Sequence, residues 1–188
     1  MAARIRRATV EDAAAIAAVH VAGWHESYAG IVPAAALAKR TVKARTERWR
    51  AMLTDPAGHD HGATFVACED DGAVVGFAAC GPQRTPDLAA QGFDGEFFAI
   101  YLLRAAQRRG IGHALMAALA RDLAGRGLGC ASLWVFEENH PAQRFYDALG
   151  GALVGRNTFS IEGTDMVEVA YGWRDLAPLL AAPKSSQR

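Results

Sequence analysis

The sequence predicts a single α/β (α+β) domain: a mixed, mostly antiparallel sheet of six or seven strands flanked by about four helices. Three observations carry that prediction. The chain has 188 residues, about the size of one domain, and a chain of this length buries roughly 70% of its unfolded surface. Two apolar runs, Thr64 to Glu69 and Ala73 to Cys80, flank Asp70-Asp71-Gly72, which signals a β-hairpin. An almost unbroken apolar segment, Glu96 to Leu103 (EFFAIYLL), is followed by a helical pattern and then by Ser132 to Phe136. Runs of this kind read as strands buried on both faces, here as parallel neighbours.

Along the chain, a short strand around Ile5 precedes a helix with Thr9 as N-cap and Glu11 and Asp12 in its first turn, where carboxylates suit the helix dipole. Ile16, Val19, His20, Gly23 and Trp24 recur at helical spacing, and the helix is expected to end near Gly23. Trp24 to Pro33 then reads as a turn or a short second helix. Val42, Trp49 and Leu53 share a face of a further amphipathic helix, broken by Asp55-Pro56-Ala57-Gly58. Gly81 to Gly95 reads as a loop. Ile111, Leu115, Leu119 and Leu123 form one helical stripe, ended by Gly125, Gly127 and Gly129. Pro141 opens a helix carrying Ala142, Phe145, Tyr146 and Leu149, closed by Gly150-Gly151. Two last strands fit Ala152 to Arg156 and Val167 to Trp173. The domain is read as residues 1–180, with 181–188 as a disordered tail.

Composition narrows the partners. Lys+Arg and Asp+Glu balance at 20 each, so no general attraction to nucleic acid or anionic membrane is expected. The only dense basic run is Gln107-Arg108-Arg109. No apolar run approaches the ~20 residues of a membrane span, and Arg4, Arg6 and Arg7 lead into no signal-peptide core. Cys68, Cys80 and Cys130 show no metal-ligand spacing and read as reduced thiols of a cytoplasmic protein. His59, Asp60 and His61 read as an exposed loop rather than a metal site. No metal is expected.

The most informative stretch is the turn Gln107-Arg108-Arg109-Gly110-Ile111-Gly112. A helix N-terminus exposes unpaired N–H groups and positive dipole charge, and glycines let an anion approach the backbone. A phosphate-binding loop would need a Lys that is absent, and a dinucleotide fingerprint would need a third glycine where Leu115 stands. A plain tight turn with an exposed Arg pair remains the alternative from this turn alone.

Gln107-x-x-Gly110-x-Gly112 after an apolar strand resembles the Gln/Arg-x-x-Gly-x-Gly/Ala motif of the GNAT N-acetyltransferase superfamily. About thirty residues on, Asn139, Ala142, Phe145, Tyr146, Leu149 and Gly150 resemble that family's second segment, Asn-x-x-Ala-x-x-Phe-Tyr followed by Leu-Gly. The opening IRRATVEDAAAIAAVH is also similar, so the resemblance runs from Ile5 to Trp173. Arg104 stands where the family commonly has a proline.

The resemblance implies acetyl-CoA as co-substrate, held in a V-shaped slot where the strands at Glu96 and Ser132 splay apart. The amides of Gln107, Arg108, Arg109, Gly110, Ile111 and Gly112 would hold its pyrophosphate. The pantetheine arm would lie along Ile100, Leu102 and Leu103, with Ile100 and Leu102 as backbone partners and Asn139 in contact. Tyr146 would protonate the leaving sulfur and the Leu102 N–H would polarise the thioester. Asn139 reads equally as an N-cap, and Tyr146 shares the stripe of Phe145, so core packing stays open.

Glu96 is the candidate general base. By alternation it shares a face with Phe98, Ile100 and Leu102, and burial there would make it a better base. A solvated strand-start glutamate is the alternative, and many members use a base through water or none. Trp24, Glu26 and Tyr28 are the candidate acceptor contacts, with aromatic walls suited to a cationic amine. Trp24 as a core residue is the alternative. The expected activity is acetyl transfer to a primary amine, of a small molecule or of a protein or peptide, within a ternary complex. A non-catalytic acyl-CoA sensor on the same fold is the rival, and free sheet edges leave room for a homodimer.

Overall fold

In the computed structural model, residues 3–57 and 62–181 are described. The His59 and His61 cluster and residues 182–188 of the expected tail lie outside them. The elements are β1 Arg4–Arg7, α1 Ala13–Tyr28, α2 Ala34–Ala38, α3 Val42–Thr54, β2 Ala63–Cys68, β3 Val74–Pro82 and α4 Pro86–Ala90. They continue with β4 Gly95–Leu102, α5 Ile111–Gly125, β5 Ala131–Phe136, α6 His140–Ala148, β6 Ala152–Ile161, β7 Thr164–Trp173 and α7 Ala177–Leu180. The strands form one seven-stranded sheet in the order β1-β2-β3-β4-β5-β7-β6. Among these strands only β4 and β5 pair in parallel. This is the single α/β domain with a mixed sheet that the sequence predicts.

The N-terminal signals differ slightly from their structural use. Thr9 leads into a short 3-10 turn, Val10–Asp12, and α1 begins only at Ala13. Asp12 accepts the Thr9 N–H at 2.8 Å and takes both Arg6 guanidinium nitrogens at 2.7 Å. That forked bond holds its carboxyl below the usual carboxylate range.

Helix α1 does not stop near Gly23. Gly23 is buried, and a Cβ there would lie 3.0 Å from the Tyr101 ring. This glycine serves close packing of helix on sheet, not termination, and packing overrides its weak helix propensity. The helix ends where Ala29 turns extended and Gly30 takes φ +85°. Trp24, Glu26 and Tyr28 therefore ride on α1.

Helix α5 covers one face of the sheet. Its Leu115, Met116, Leu119 and Leu123 are fully buried, each contributing about 1.5–3 kcal/mol by leaving water. Phe97, Leu133, Tyr171 and Trp173 meet them, with Tyr146 of α6. Helices α1 and α3 cover the other face, where Ile16, Trp49, Val66 and Phe77 form a second core. The last two strands are longer than expected. They form a hairpin closed by Glu162 (φ 50°) and Gly163 (φ 76°), the left-handed pair that a tight hairpin turn favours.

Two irregularities of β4 shape the centre of the molecule. The β4–β5 register contains only Gly95↔Ala131 and Glu96↔Ser132, so residues 97–102 of β4 face a widening gap. On its other side β4 pairs with β3, and the register shifts between Ala79 and Cys80, leaving Phe98 unmatched. This β-bulge breaks the alternation. Phe97, Ile100 and Leu102 face α5, whereas Phe98, Ala99 and Tyr101 face α1. Glu96, next to Phe97 and across from Gly81, falls on the α1 face. The expectation that Glu96, Phe98, Ile100 and Leu102 share one face is thus corrected: the extra residue turns Glu96 and Phe98 away from Ile100 and Leu102.

Candidate active site

The gap between β4 and β5 is lined by backbone that the sheet leaves unpaired. The Leu103 N–H donates to Val75 O at 3.0 Å, which makes Leu102 and Gly76 a non-hydrogen-bonded pair. Ile100 and Leu102 therefore aim N–H and C=O away from β3, into the gap. The Leu102 carbonyl accepts from Gln107 Nε2 at 3.0 Å, while its N–H stays directed at the gap. Leu103 itself packs on the α1 side.

Below the gap stands the glycine turn. Arg108 (φ 62°) and Gly110 (φ 78°) are both left-handed. Alternation of this kind curls successive N–H groups inward to form an anion nest. For Arg108 the conformation costs about 1–2 kcal/mol. The N–H groups of Arg108, Gly110, Ile111, Gly112 and His113 find no acceptor among the described residues. A Cβ on Gly110 would meet nothing within 4 Å, so the backbone is approachable there. Gly112 has a different task, since a Cβ on it would lie 3.2 Å from the Phe145 ring. Ile111 buries its side chain in the core. Arg109 is tied to Glu69 at 2.7 and 3.1 Å, anchoring the turn to the end of β2.

Helix α6 brings Asn139 and Tyr146 to the gap. Asn139 is buried and caps α6, accepting from the Ala142 N–H at 3.3 Å. Its side chain and the Tyr101 hydroxyl both act on the Tyr28 phenol. Tyr146 is buried against Tyr171 and Trp173. Burial pushes its phenol well above the usual range, and the nearby Tyr28 adds to this. Burial likewise raises Tyr28, and lifts Tyr101 well above the usual range. Three protonated phenols thus converge beside the gap.

Glu96 is buried and bound by Arg84, whose Nη2 lies 2.7 Å from Oε1 and whose N–H donates to Oε2 at 3.0 Å. The Arg84 guanidinium lies 3.6 Å above the Phe98 ring. Glu168 of β7 is near enough for Glu96 to act on it. Burial raises the Glu168 carboxyl, the hydrogen bond from Asn157 Nδ2 at 3.1 Å opposes this, and Glu96 adds a smaller upward push.

The three expected acceptor contacts separate. Trp24 and Tyr28 pack edge to face at 4.4 Å. Glu26 is exposed on another side of α1 and accepts the Arg104 N–H at 2.8 Å. The face of Trp24 is covered by Arg40, with Cζ 3.5 Å from the ring centroid. Sequence reasoning passed over Tyr101, Arg84 and Arg40. For Tyr101 a signal existed, since a tyrosine within a doubly buried strand needs a partner for its hydroxyl. For Arg84 and Arg40 nothing local in the sequence marks them.

A parallel pair that parts beside an anion nest sits here in a chain whose family and relatives mark it as an N-acetyltransferase. The chain belongs to the acetyltransferase (GNAT) family, whose profile matches residues 28–151. It is 37% identical over 175 residues to an uncharacterized N-acetyltransferase, YuaI, of Bacillus subtilis, covering 93% of this chain and 95% of that one. Among solved structures it is similar to PaiA N-acetyltransferase from Thermoplasma acidophilum in complex with coenzyme A. That match has a TM-score of 0.67 and 19% identity over 90% of this chain and 98% of that chain. It is also similar to YncA from Salmonella typhimurium with acetyl-CoA, at a TM-score of 0.68 and 19% identity over 98% and 99% of the chains. Among the described residues no helix is long and apolar enough to cross a membrane.

Proposed function

We propose that this protein transfers an acetyl group from acetyl-CoA to a primary amine by direct transfer within a ternary complex. The observation that carries the reading is the set of unpaired N–H groups on Arg108, Gly110, Ile111, Gly112 and His113, at the mouth of the gap lined by Ile100 and Leu102. The nest suits a pyrophosphate, and the open space at Gly110 lets one approach. The unpaired strand backbone suits the amide-bearing pantetheine arm. The complexes of PaiA with coenzyme A and of YncA with acetyl-CoA support the same assignment.

Acetyl-CoA supplies an activated thioester. In the reaction the amine nitrogen forms a bond to the acetyl carbon, the carbon–sulfur bond breaks, and one proton leaves the nitrogen while another reaches the sulfur. The Leu102 N–H stabilises charge developing on the carbonyl oxygen. The Tyr146 hydroxyl, kept protonated by burial, gives its proton to the sulfur. Glu96 takes the proton of the amine, on the α1 face where Tyr101 and Tyr28 also lie. Asn139 fixes the start of α6 beside the gap through its cap to the Ala142 N–H.

The test is release of free thiol from acetyl-CoA over a panel of amines, alongside calorimetric binding of coenzyme A. Turnover with one class of amine supports the reading. Tight binding without turnover on any amine would favour an acyl-CoA sensor. Thermal stabilisation by ATP or NAD but not by coenzyme A would sink it.

A further inference from the structure

The corner of the site above Trp24 is strongly cationic, and no acid pairs with it among the described residues. Arg40, between α2 and α3, stacks its guanidinium on Trp24 at 3.5 Å. Arg45 and Arg48 of α3 stand close enough to Arg40 to repel it, and all three act on His20. None of the three makes an ion pair among the described residues. By contrast Arg6, Arg7, Arg84, Arg109, Arg126 and Arg156 each have a carboxylate partner. Glu47, the only acid on α3, pairs with none of them. Burial pushes the Arg40 and Arg45 guanidinium groups down; like charge adds to this at Arg45, while at Arg40 the Tyr101 and Tyr28 phenols oppose it, and a bound anion would reverse the burial cost.

Two donors at this contact lack acceptors. Arg40 Nε and Trp24 Nε1 are both buried with no hydrogen-bond partner among the described residues. A buried unsatisfied donor costs about 1–3 kcal/mol, more when charged. Native proteins rarely leave one, and two at one stacked pair mark a place where acceptor oxygens belong. Arg40 also acts on the Tyr28 and Tyr101 hydroxyls, and Tyr28 packs on Trp24. The cationic corner therefore adjoins the phenol cluster, on the α1 face, whereas the turn at Gly110 belongs to α5 on the opposite face. It is not part of the pyrophosphate seat.

We propose that Arg40, backed by Arg45, binds an oxyanion of the acceptor, so that the acceptor is a small amine that also carries a carboxylate, in the manner of an amino acid. The guanidinium fork matches carboxylate geometry, and Trp24 Nε1 adds a neutral donor. Arg40 on Trp24 also occupies the ring face that a cationic amine would need, which selects against polyamines. This inference rests on the acetyltransferase reading and names the substrate class of that same site.

The experiment compares amino acids with their amides and with the matching decarboxylated amines, using the full chain with acetyl-CoA, by thiol release and by calorimetric binding in the presence of coenzyme A. Aminophosphonates form a third arm that separates carboxylate from phosphonate. The expected result is at least a hundredfold higher kcat/KM for carboxylated or phosphonylated amines than for decarboxylated ones. Arg40→Met should raise their KM at least tenfold with coenzyme A affinity unchanged, and Arg40→Lys should recover part of the loss. If Arg40→Met does not fold, Arg45→Gln should raise the same KM severalfold. Equal or better turnover of decarboxylated amines and amides would overturn the proposal. So would binding of amino acids that is absent in the wild type or unaltered in Arg40→Met, and that arm reads out even if no amine is acetylated.

Discussion

Arg84 grips Glu96 through two side-chain contacts, 2.7 and 3.3 Å, and through its own N–H at 3.0 Å. The pair lies on the α1 face of the sheet because Phe98 bulges out of β4 close by. A buried carboxylate so placed either moves the amine's proton or anchors the segment after β3. Glu96→Gln separates the two roles. We expect kcat to fall about a hundredfold, within the usual range for a general base, with the acetyl-CoA Kd and Tm nearly unchanged. A large drop in Tm with kcat preserved would assign Glu96 to structure.

Tyr146 is held protonated by burial. Tyr146→Phe removes the proton donor and keeps the ring against Tyr171 and Trp173. Turnover should fall about a hundredfold while acetyl-CoA affinity holds. Because the phenol sits above its ordinary range of about 10, wild-type kcat should show no alkaline loss from this group up to that pH. Unchanged turnover in Tyr146→Phe would remove the acid role.

Gly110 takes φ 78° beside open space. Gly110→Val should cost roughly 1–2 kcal/mol through the left-handed backbone alone, a loss visible as a lower Tm. It should also abolish detectable coenzyme A binding by blocking approach to the N–H groups. A folded variant with normal affinity would contradict the pyrophosphate seat.

His20 supplies a pH dependence. Its Nδ1 accepts from Trp49 Nε1 at 3.2 Å, its ring contacts Phe77 and Tyr101, and Arg40, Arg45 and Arg48 face it. Burial, then those arginines, pull its pKa from 6.5 down to about 3. The unfolded chain takes up the proton first, so stability is complete above pH 6.5 and declines as pH falls toward 3. The loss amounts to a few kcal/mol by about pH 4. His20→Gln should flatten that decline in a series of thermal melts, and an unchanged slope would exclude His20 as its source.

Much of the fold was legible because its signals are local. The Asp-Gly turn announced the β2–β3 hairpin, the apolar stripe announced α5, and Asn139 followed by Pro141 announced α6. The Gly110 turn was legible for the same reason: a left-handed residue at a helix start must be something like glycine. Gly23 misled because a glycine that ends a helix and one that admits a neighbouring ring read alike. The alternation argument for Glu96 failed because nothing in EFFAIYLL marks Phe98 as the extra residue. That is settled by pairing with β3.

By itself the sequence determined the strands, the parallel pair, the glycine turn and the residues of α5 and α6, since their signals lie between chain neighbours a few positions apart, whereas α4 lay unread inside the stretch from Gly81 to Gly95 that reads as a loop. Only the tertiary structure decided which side chains share the active face. Arg40 meets Trp24, Glu96 meets Arg84 and Tyr28 meets Tyr101 across separate elements, and their partnerships follow from packing and burial, which act between residues far apart in the chain.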